Sequence, residues 1–283
     1  MPTPTDHRDG APVADRPGFV ARYGWRAWAV PVLAVVTVVV MLLIGGSLTP
    51  PSEADDPTAV TTPTTAAAAS AALPEGADIV PAGAGTWHVV PGSTPVRGSG
   101  PEVFTYTVEV EDGLQPVEAD HAFAAVVDAA LSDPRSWTGG GQFQLQRVDT
   151  GTPSFRVSLT SQLTIRAPGL CGWEIPLEAS CYNRWADQRV MLNDARWIRG
   201  ATAYAGDLDT YRVYAINHEV GHALGHGHEP CPRTGALAPI MMQQSWGIAN
   251  NDLNPLNPDL IPADGQVCLA NPYPFPAASA PTG

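Results

Sequence analysis

The sequence predicts an α+β domain over residues 82–283, a twisted sheet covered by helices. Three observations predict it. Segments of period two and of helical period follow one another in the order strand, helix, strand, strand, which lays helix on sheet. A second helical stretch late in the chain carries four of the seven histidines, His218, His222, His226 and His228. Four cysteines fall around that stretch, an even set that suits two cross-links in an exported domain.

The chain begins with a polar, Pro-rich segment, residues 1–26, with Arg8, Arg16, Arg22 and Arg26. An apolar run from Ala27 to Ile44 follows and ends at Gly45-Gly46-Ser47. Its length is just enough to span the hydrocarbon core. Arginines precede it and the next is Arg97, so the positive-inside rule puts the tail in the cytoplasm and the rest outside. Residues 27–46 are therefore expected to be a single-pass anchor. A cleaved signal peptide is the rival, and it would have a shorter apolar region and a better cleavage site. Residues 47–81 are rich in Pro, Thr and Ala and hold too few large apolar side chains for a core. They read as a tether, with a propeptide as the alternative.

Within the domain, Thr86 to Val90 is a short strand closed by Pro91-Gly92. Phe104, Tyr106, Val108 and Val110 alternate with Thr105, Thr107 and Glu109, the pattern of a half-buried strand. Phe123, Val126, Val127, Ala130 and Leu131 recur at helical spacing between Val117 and Leu131, and Asp133-Pro134 stops the helix. Phe143 and Leu145 mark a second short strand, and Phe155, Val157 and Leu159 a third. Arg166 to Asp187 is a long irregular loop, and loops of that length are usually functional or stapled. Of three possible pairings, Cys171–Cys181 and Cys231–Cys268 are expected because each closes a local loop. On chain entropy they would contribute about 3 and about 4 kcal/mol. Arg189 to Asn193 reads as a strand, placed at the sheet edge.

A helix from about Thr210 to Leu224 follows, capped by Asp207 or Asp209. Tyr211, Tyr214, His218 and His222 form one stripe, expected to look out to a cleft, while Val213, Ile216, Val220 and Ala223 face the core. The stretch His218 to His228 reads H-E-x-x-H-x-x-G-x-x-H. Residues four apart share a helix face, so His218 and His222 can offer two imidazoles to one ion. Gly225 can take positive φ and turn the chain so that His228 becomes a third ligand. Three nitrogens with one open position are the donor set of a catalytic Zn2+. Glu219, one step round, is placed to act as general base on a metal-held water. The bland alternative, a His-rich amphipathic helix, does not account for five fixed residues in this order.

After His228 comes Pro239-Ile240-Met241-Met242-Gln243-Gln244. With the preceding motif, this resembles the metzincins, a clan of zinc endopeptidases that includes astacins, serralysins and matrix metalloproteinases. The resemblance covers the ectodomain, specifically at the motif and by element order elsewhere, and looks like an uncharacterised membrane-anchored bacterial family. It implies a twisted mixed sheet, an active-site helix and a C-terminal subdomain with a methionine turn, in which Met241 rather than Met242 lies beneath the zinc. It implies a peptide or protein substrate, extended along the edge strand. Several of these families have a Tyr after the Met; Gln243 and Gln244 stand here, as substitutes or as plain turn residues. The inhibitory thiol of matrix metalloproteinases is absent, and Cys171 reads as a disulfide partner rather than a zinc-blocking group. His226 reads as a rim residue with an alternative as ligand, and Glu229 as a local hydrogen-bonding group. Trp197 and Tyr204 are either cleft-lining or packing residues. His7, His88 and His121 carry no functional signal.

Composition narrows the function classes. A formal charge of −13, with no basic cluster, argues against a nucleic-acid partner. The expected function is a membrane-anchored, extracytoplasmic zinc endopeptidase. The alternatives are a zinc hydrolase of cell-wall peptides and a non-catalytic, zinc-stabilised binding module, which would not need Glu219.

Overall fold

The computed structural model describes residues 69–114, 119–172 and 177–277. The expected tail and anchor lie outside them, as do much of the linker, Val117 and Trp173. Among the described residues no helix is long and apolar enough to cross a membrane.

Seven strands form one mixed sheet. They are β1 (Trp87–Val89), β2 (Arg97–Gly98), β3 (Val103–Glu111), β4 (Gln144–Arg147), β5 (Phe155–Thr160), β6 (Cys181–Asn183) and β7 (Arg189–Asn193). The order is β2-β4-β3-β5-β7-β6, with β1 alongside β3. The central strands β4, β3, β5 and β7 run parallel, while β1, β2 and β6 are antiparallel additions. Helices α1 (Asp120–Ser132) and α4 (Leu208–Ala223) pack on the sheet and on each other. Three shorter ones are α2 (Gln162–Ile165), α3 (Asp194–Arg199) and α5 (Asn250–Leu253). The α+β class holds in this sense.

The alternation in β3 places Tyr106, Val108 and Val110 in the main core. The strand is not half-buried, however, because Thr107, Glu109 and Glu111 on its other face are buried as well. Inner parallel strands are covered on both faces. The polar face is closed by pairing: Glu109 meets Arg189 and Arg156, and Glu111 accepts from the Gly85 amide, the Ser161 amide and the Thr164 hydroxyl at 2.8, 2.7 and 2.6 Å. Polar residues at period two were the sign of a solvent face; here they mark a buried ionic one.

The expected edge strand Arg189 to Asn193 is a second correction. It is β7, wholly buried, and the three-residue β6 covers its outer side. So short a strand has no readable period. It is held by the Cys171–Cys181 disulfide at its start and by Asn183, whose amide donates to the Leu170 carbonyl. The second disulfide, Cys231–Cys268, lies in a separate small core with Ala238, Met242, Leu253 and Ile261.

The domain also takes up chain that the composition assigned to the tether. Arg196 is fully buried and donates to the carbonyls of Ala71, Ala72, Glu178 and Gly200. Arg199 donates to the Ala77 carbonyl and Thr202 to that of Ser70. Residues 69–77 are thus strapped to α3, although their small side chains carry no core signal.

Candidate metal centre

Helix α4 starts where Asp207 accepts from the Thr210 amide at 3.1 Å and hydroxyl at 2.7 Å. It ends in a double closure. The Gly225 amide donates to the His222 carbonyl and the His226 amide to the Gly221 carbonyl, with Gly225 at φ +96°. This is the Schellman arrangement, and it needs the left-handed conformation that glycine takes without steric cost. The chain therefore doubles back and brings His228 beside the helix. The Nε2 atoms of His222 and His228 come to 3.2 Å, and one nitrogen from each of His218, His222 and His228 lies within 4.8 Å of the others.

The tautomers follow from the carbonyls behind the rings. A carbonyl only accepts, so His218 Nδ1–H donates to Ile240 O at 2.9 Å and His222 Nδ1–H to His226 O at 2.8 Å. Each neutral ring then presents the lone pair of Nε2 forwards, the arrangement found behind metal-binding histidines. The His218 Nε2 is buried with no partner among the described residues. Burial holds the imidazoles of His218 and His222 below their ordinary pKa and that of His228 at about 4, so all three are neutral. Beside them Glu219 is buried with its Oε2 unpartnered, and burial pushes its carboxyl up to about 8. Buried polar atoms without partners are costly. Three convergent imine nitrogens next to a carboxylate fit one divalent cation, which would satisfy these groups.

The expected outward stripe on α4 is the third correction. Tyr211, Tyr214 and His218 are fully buried, whereas Val213 and Ala223 on the supposed core side are only half-buried. The helix is enclosed nearly all round because the C-terminal segment returns beneath it. The Tyr214 hydroxyl donates to Met242 O at 2.9 Å and accepts from the Gln244 amide at 2.8 Å. The His222–His228 end opens to a cleft, and Asp209, Thr210 and Val213 near the other end line a second pocket with Arg135 and Tyr273.

That returning segment also separates the two methionines. A Cβ on Gly221 would lie 2.5 Å from Met241 Sδ and 2.7 Å from the Trp137 ring, so both press on the helix backbone between His218 and His222. Met242 instead belongs to the second core. Trp137 Nε1–H donates to Asn217 O at 2.8 Å, the Ser136 hydroxyl to Asn217 Oδ1 at 2.6 Å, and Asn217 Nδ2 to Pro272 O at 2.9 Å. Asn217, just before the motif, thereby ties α4 to two distant segments.

The two glutamines divide as well. Gln244 is buried; its Oε1 accepts from the Tyr204 hydroxyl and the Asn271 amide, and its Nε2 donates to Asn271 O. Gln243 lines the cleft. His226 stacks on Trp137 with ring centres 4.5 Å apart and stands at the rim, outside the three-nitrogen cluster. Glu229 is exposed, and only its amide bonds inwards, to Met241 O. Trp197 and Tyr204 are packing residues of the main core. Cys171, tied to Cys181, is not available to a metal. His88 is not idle: it bridges Asp112 at 2.7 Å and Asp120 at 2.8 Å.

The cleft encloses about 580 Å3. Glu219, His222 and His228 lie in it, Tyr182 and Arg184 come from the β6 side, and Gln243 and Trp246 from the C-terminal side. A 140 Å3 apolar pocket adjoins at His228, walled by Trp246, Leu253, Leu256 and Ile261. The sequence reading did not pick out Tyr182, Arg184 or Trp246. The length and cysteines of the loop from Arg166 to Asp187 were the one signal pointing to the first two.

No curated protein and no solved structure matches this chain. The family comparison does find a match, over residues 73–276, a span that takes in the His cluster, Glu219, both disulfides and the whole cleft, and by it the chain belongs to DUF3152, a family described as protein of unknown function.

Proposed function

We propose that this protein is a zinc endopeptidase of the metzincin kind, anchored by residues 27–46 with residues 82–283 outside the membrane. One observation carries the reading. Three neutral imidazoles, two of them oriented by carbonyls, converge on one point at the floor of a cleft, and an unpartnered carboxylate lies beside them. A binding module would need no such carboxylate. Two disulfides suit an oxidising compartment.

His218, His222 and His228 would hold the ion. Zinc bound there supplies a Lewis acid that polarises a carbonyl and lowers the pKa of water. Glu219 does the proton work. Its carboxylate takes a proton from water as the water oxygen adds to the peptide carbonyl carbon. It then passes that proton to the amide nitrogen as the carbon–nitrogen bond breaks. Strand β6, at the edge of the sheet, is where an extended peptide would pair as an added strand. The apolar pocket beside His228 takes a large apolar side chain. Met241 and Trp137 keep the helix floor rigid.

The test uses the full chain. Zinc content is measured by mass spectrometry, and cleavage of a peptide library is compared between wild type and Glu219→Ala. The reading requires one zinc per chain and cleavage that the variant loses. Zinc binding without any cleavage of library or cell-wall peptides overturns it in favour of a binding module. Cleavage confined to cell-wall peptides moves the substrate and keeps the chemistry.

A further inference from the structure

Resting on the endopeptidase reading, we propose that Arg184 and Trp185 form a recognition arm for an acidic residue of the bound peptide. Trp185 is 86% exposed, more than any other large apolar side chain among the described residues. Isolated exposure of an apolar residue is ordinary. This one differs in how it is presented.

The turn that carries it is held at every corner. The Trp185 amide donates to Asn183 Oδ1 at 2.8 Å. Arg156 donates to the Asp187 carbonyl at 3.1 Å. The Cys171–Cys181 disulfide anchors the strand before it. Gln188 has φ of 53°, a conformation that side chains other than Gly, Asn or Asp avoid. A loop of no consequence would not be expected to fix a tryptophan in water through a backbone of this kind.

Arg184 supplies the chemistry. Its guanidinium lies over the Trp185 ring, 5.6 Å from the centroid. It lines the cleft, where it is the one arginine, and its side chain makes no ion pair or hydrogen bond with any described residue. Arg135, Arg147, Arg156, Arg166 and Arg189 each meet a carboxylate within 3.3 Å, Arg196 and Arg199 are taken up by backbone carbonyls, and Arg97 and Arg233 lie away from the cleft. In a chain of charge −13, a free guanidinium at the cleft stands out. A guanidinium within cation–π reach of an aromatic ring keeps its N–H groups free to meet a carboxylate two at a time. Trp and Arg are enriched among the residues that carry binding energy once a partner covers them. The ligand class is therefore an acidic peptide, its Glu or Asp placed on the β6 side of the three histidines.

The experiment separates this inference from the reading it rests on. Octapeptide libraries carrying Glu or Gln at each position in turn are bound to zinc-loaded full-length Glu219→Ala and followed by fluorescence polarisation; the wild type is scored for cleavage. We expect one position, or two neighbouring ones, at which Glu binds about tenfold more tightly than Gln. Arg184→Glu should reverse that preference, Arg184→Lys should keep part of it, and Trp185→Ala should reduce it several-fold. The preference should shrink between 50 and 500 mM salt, on the order of the screening change. Equal binding of Glu and Gln at every position, or a preference that survives Arg184→Glu, overturns the inference, even where the wild type cuts peptides. Arg184-dependent binding of acidic peptides that the wild type never cuts upholds it and overturns the endopeptidase.

Discussion

Two buried glutamates in this molecule have opposite surroundings. Glu111 lies on the polar face of β3, is 0% exposed, and receives two amides and a hydroxyl. Glu219 lies on α4, is 3% exposed, and has an oxygen that nothing among the described residues reaches. The first carboxylate is part of the scaffold: its charge is used up in joining β3 to the chain around Gly85 and to α2. The second has no such partners, and burial pushes its carboxyl up to about 8, so its charged form waits on a neighbouring cation. Burial alone does not mark a functional group, but burial without partners beside other unpartnered donors does.

Substitutions sharpen the comparison, and the largest effect is expected at Glu219. Glu219→Ala should lower peptide hydrolysis by roughly 10³-fold or more without lowering the melting temperature, because Glu219 Oε2 makes no hydrogen bond to any described residue. Activity assays alongside calorimetry check both halves, and a fall in melting temperature would show that Glu219 has a structural partner after all. Zinc should next distinguish the regions. At about a thousand times its Kd it should stabilise the fold by about 4 kcal/mol, an effect that chelation with EDTA removes and that His222→Ala abolishes. Glu111→Ala should do the reverse of Glu219→Ala, costing about 3 kcal/mol in urea unfolding through three stranded donors while zinc affinity is retained. Gly221→Ala should cost about 2 kcal/mol, since its Cβ would collide with Met241 and Trp137.

The smallest effect lies near Glu111, at His88. Asp120 and then Asp112 raise its imidazole above the ordinary 6.5. A raised pKa in the folded state means that the clamp contributes fully below pH 6.5 and is lost as pH rises through the folded value. Asp112, held down by Thr86 and by His88, sets the other side: its contribution is lost as pH falls through its lowered value. The melting temperature should therefore drop slightly from pH 6 to pH 8, and His88→Phe should flatten that slope. A slope unchanged in His88→Phe would place the titrating group elsewhere.

Much of the site was legible because it is local. The spacing of His218, Glu219, His222, Gly225 and His228 is a statement about one helix and the turn that ends it. The disulfide partners were legible for a related reason, as each pair closes a short loop. Met241 could be preferred to Met242, but only contact with Gly221 gives the physical reason. Thr107 and Glu109 were misread because period two reports alternation and not what covers each face; Arg189, 80 residues from Glu109, covers this one. The edge strand was misplaced because β6 is too short to show a period.

The clustering of His218, His222 and His228, the helix that carries the first two and the glycine that lets the third return were all legible in the sequence. These depend on covalent spacing and backbone geometry. Which of two adjacent glutamines is locked into Asn271, which strand lies at the edge, and that the arginine of the cleft meets no carboxylate emerge from the folded chain. Those outcomes depend on which distant segments meet, a choice made by packing and by satisfying buried polar groups, and no local pattern records it.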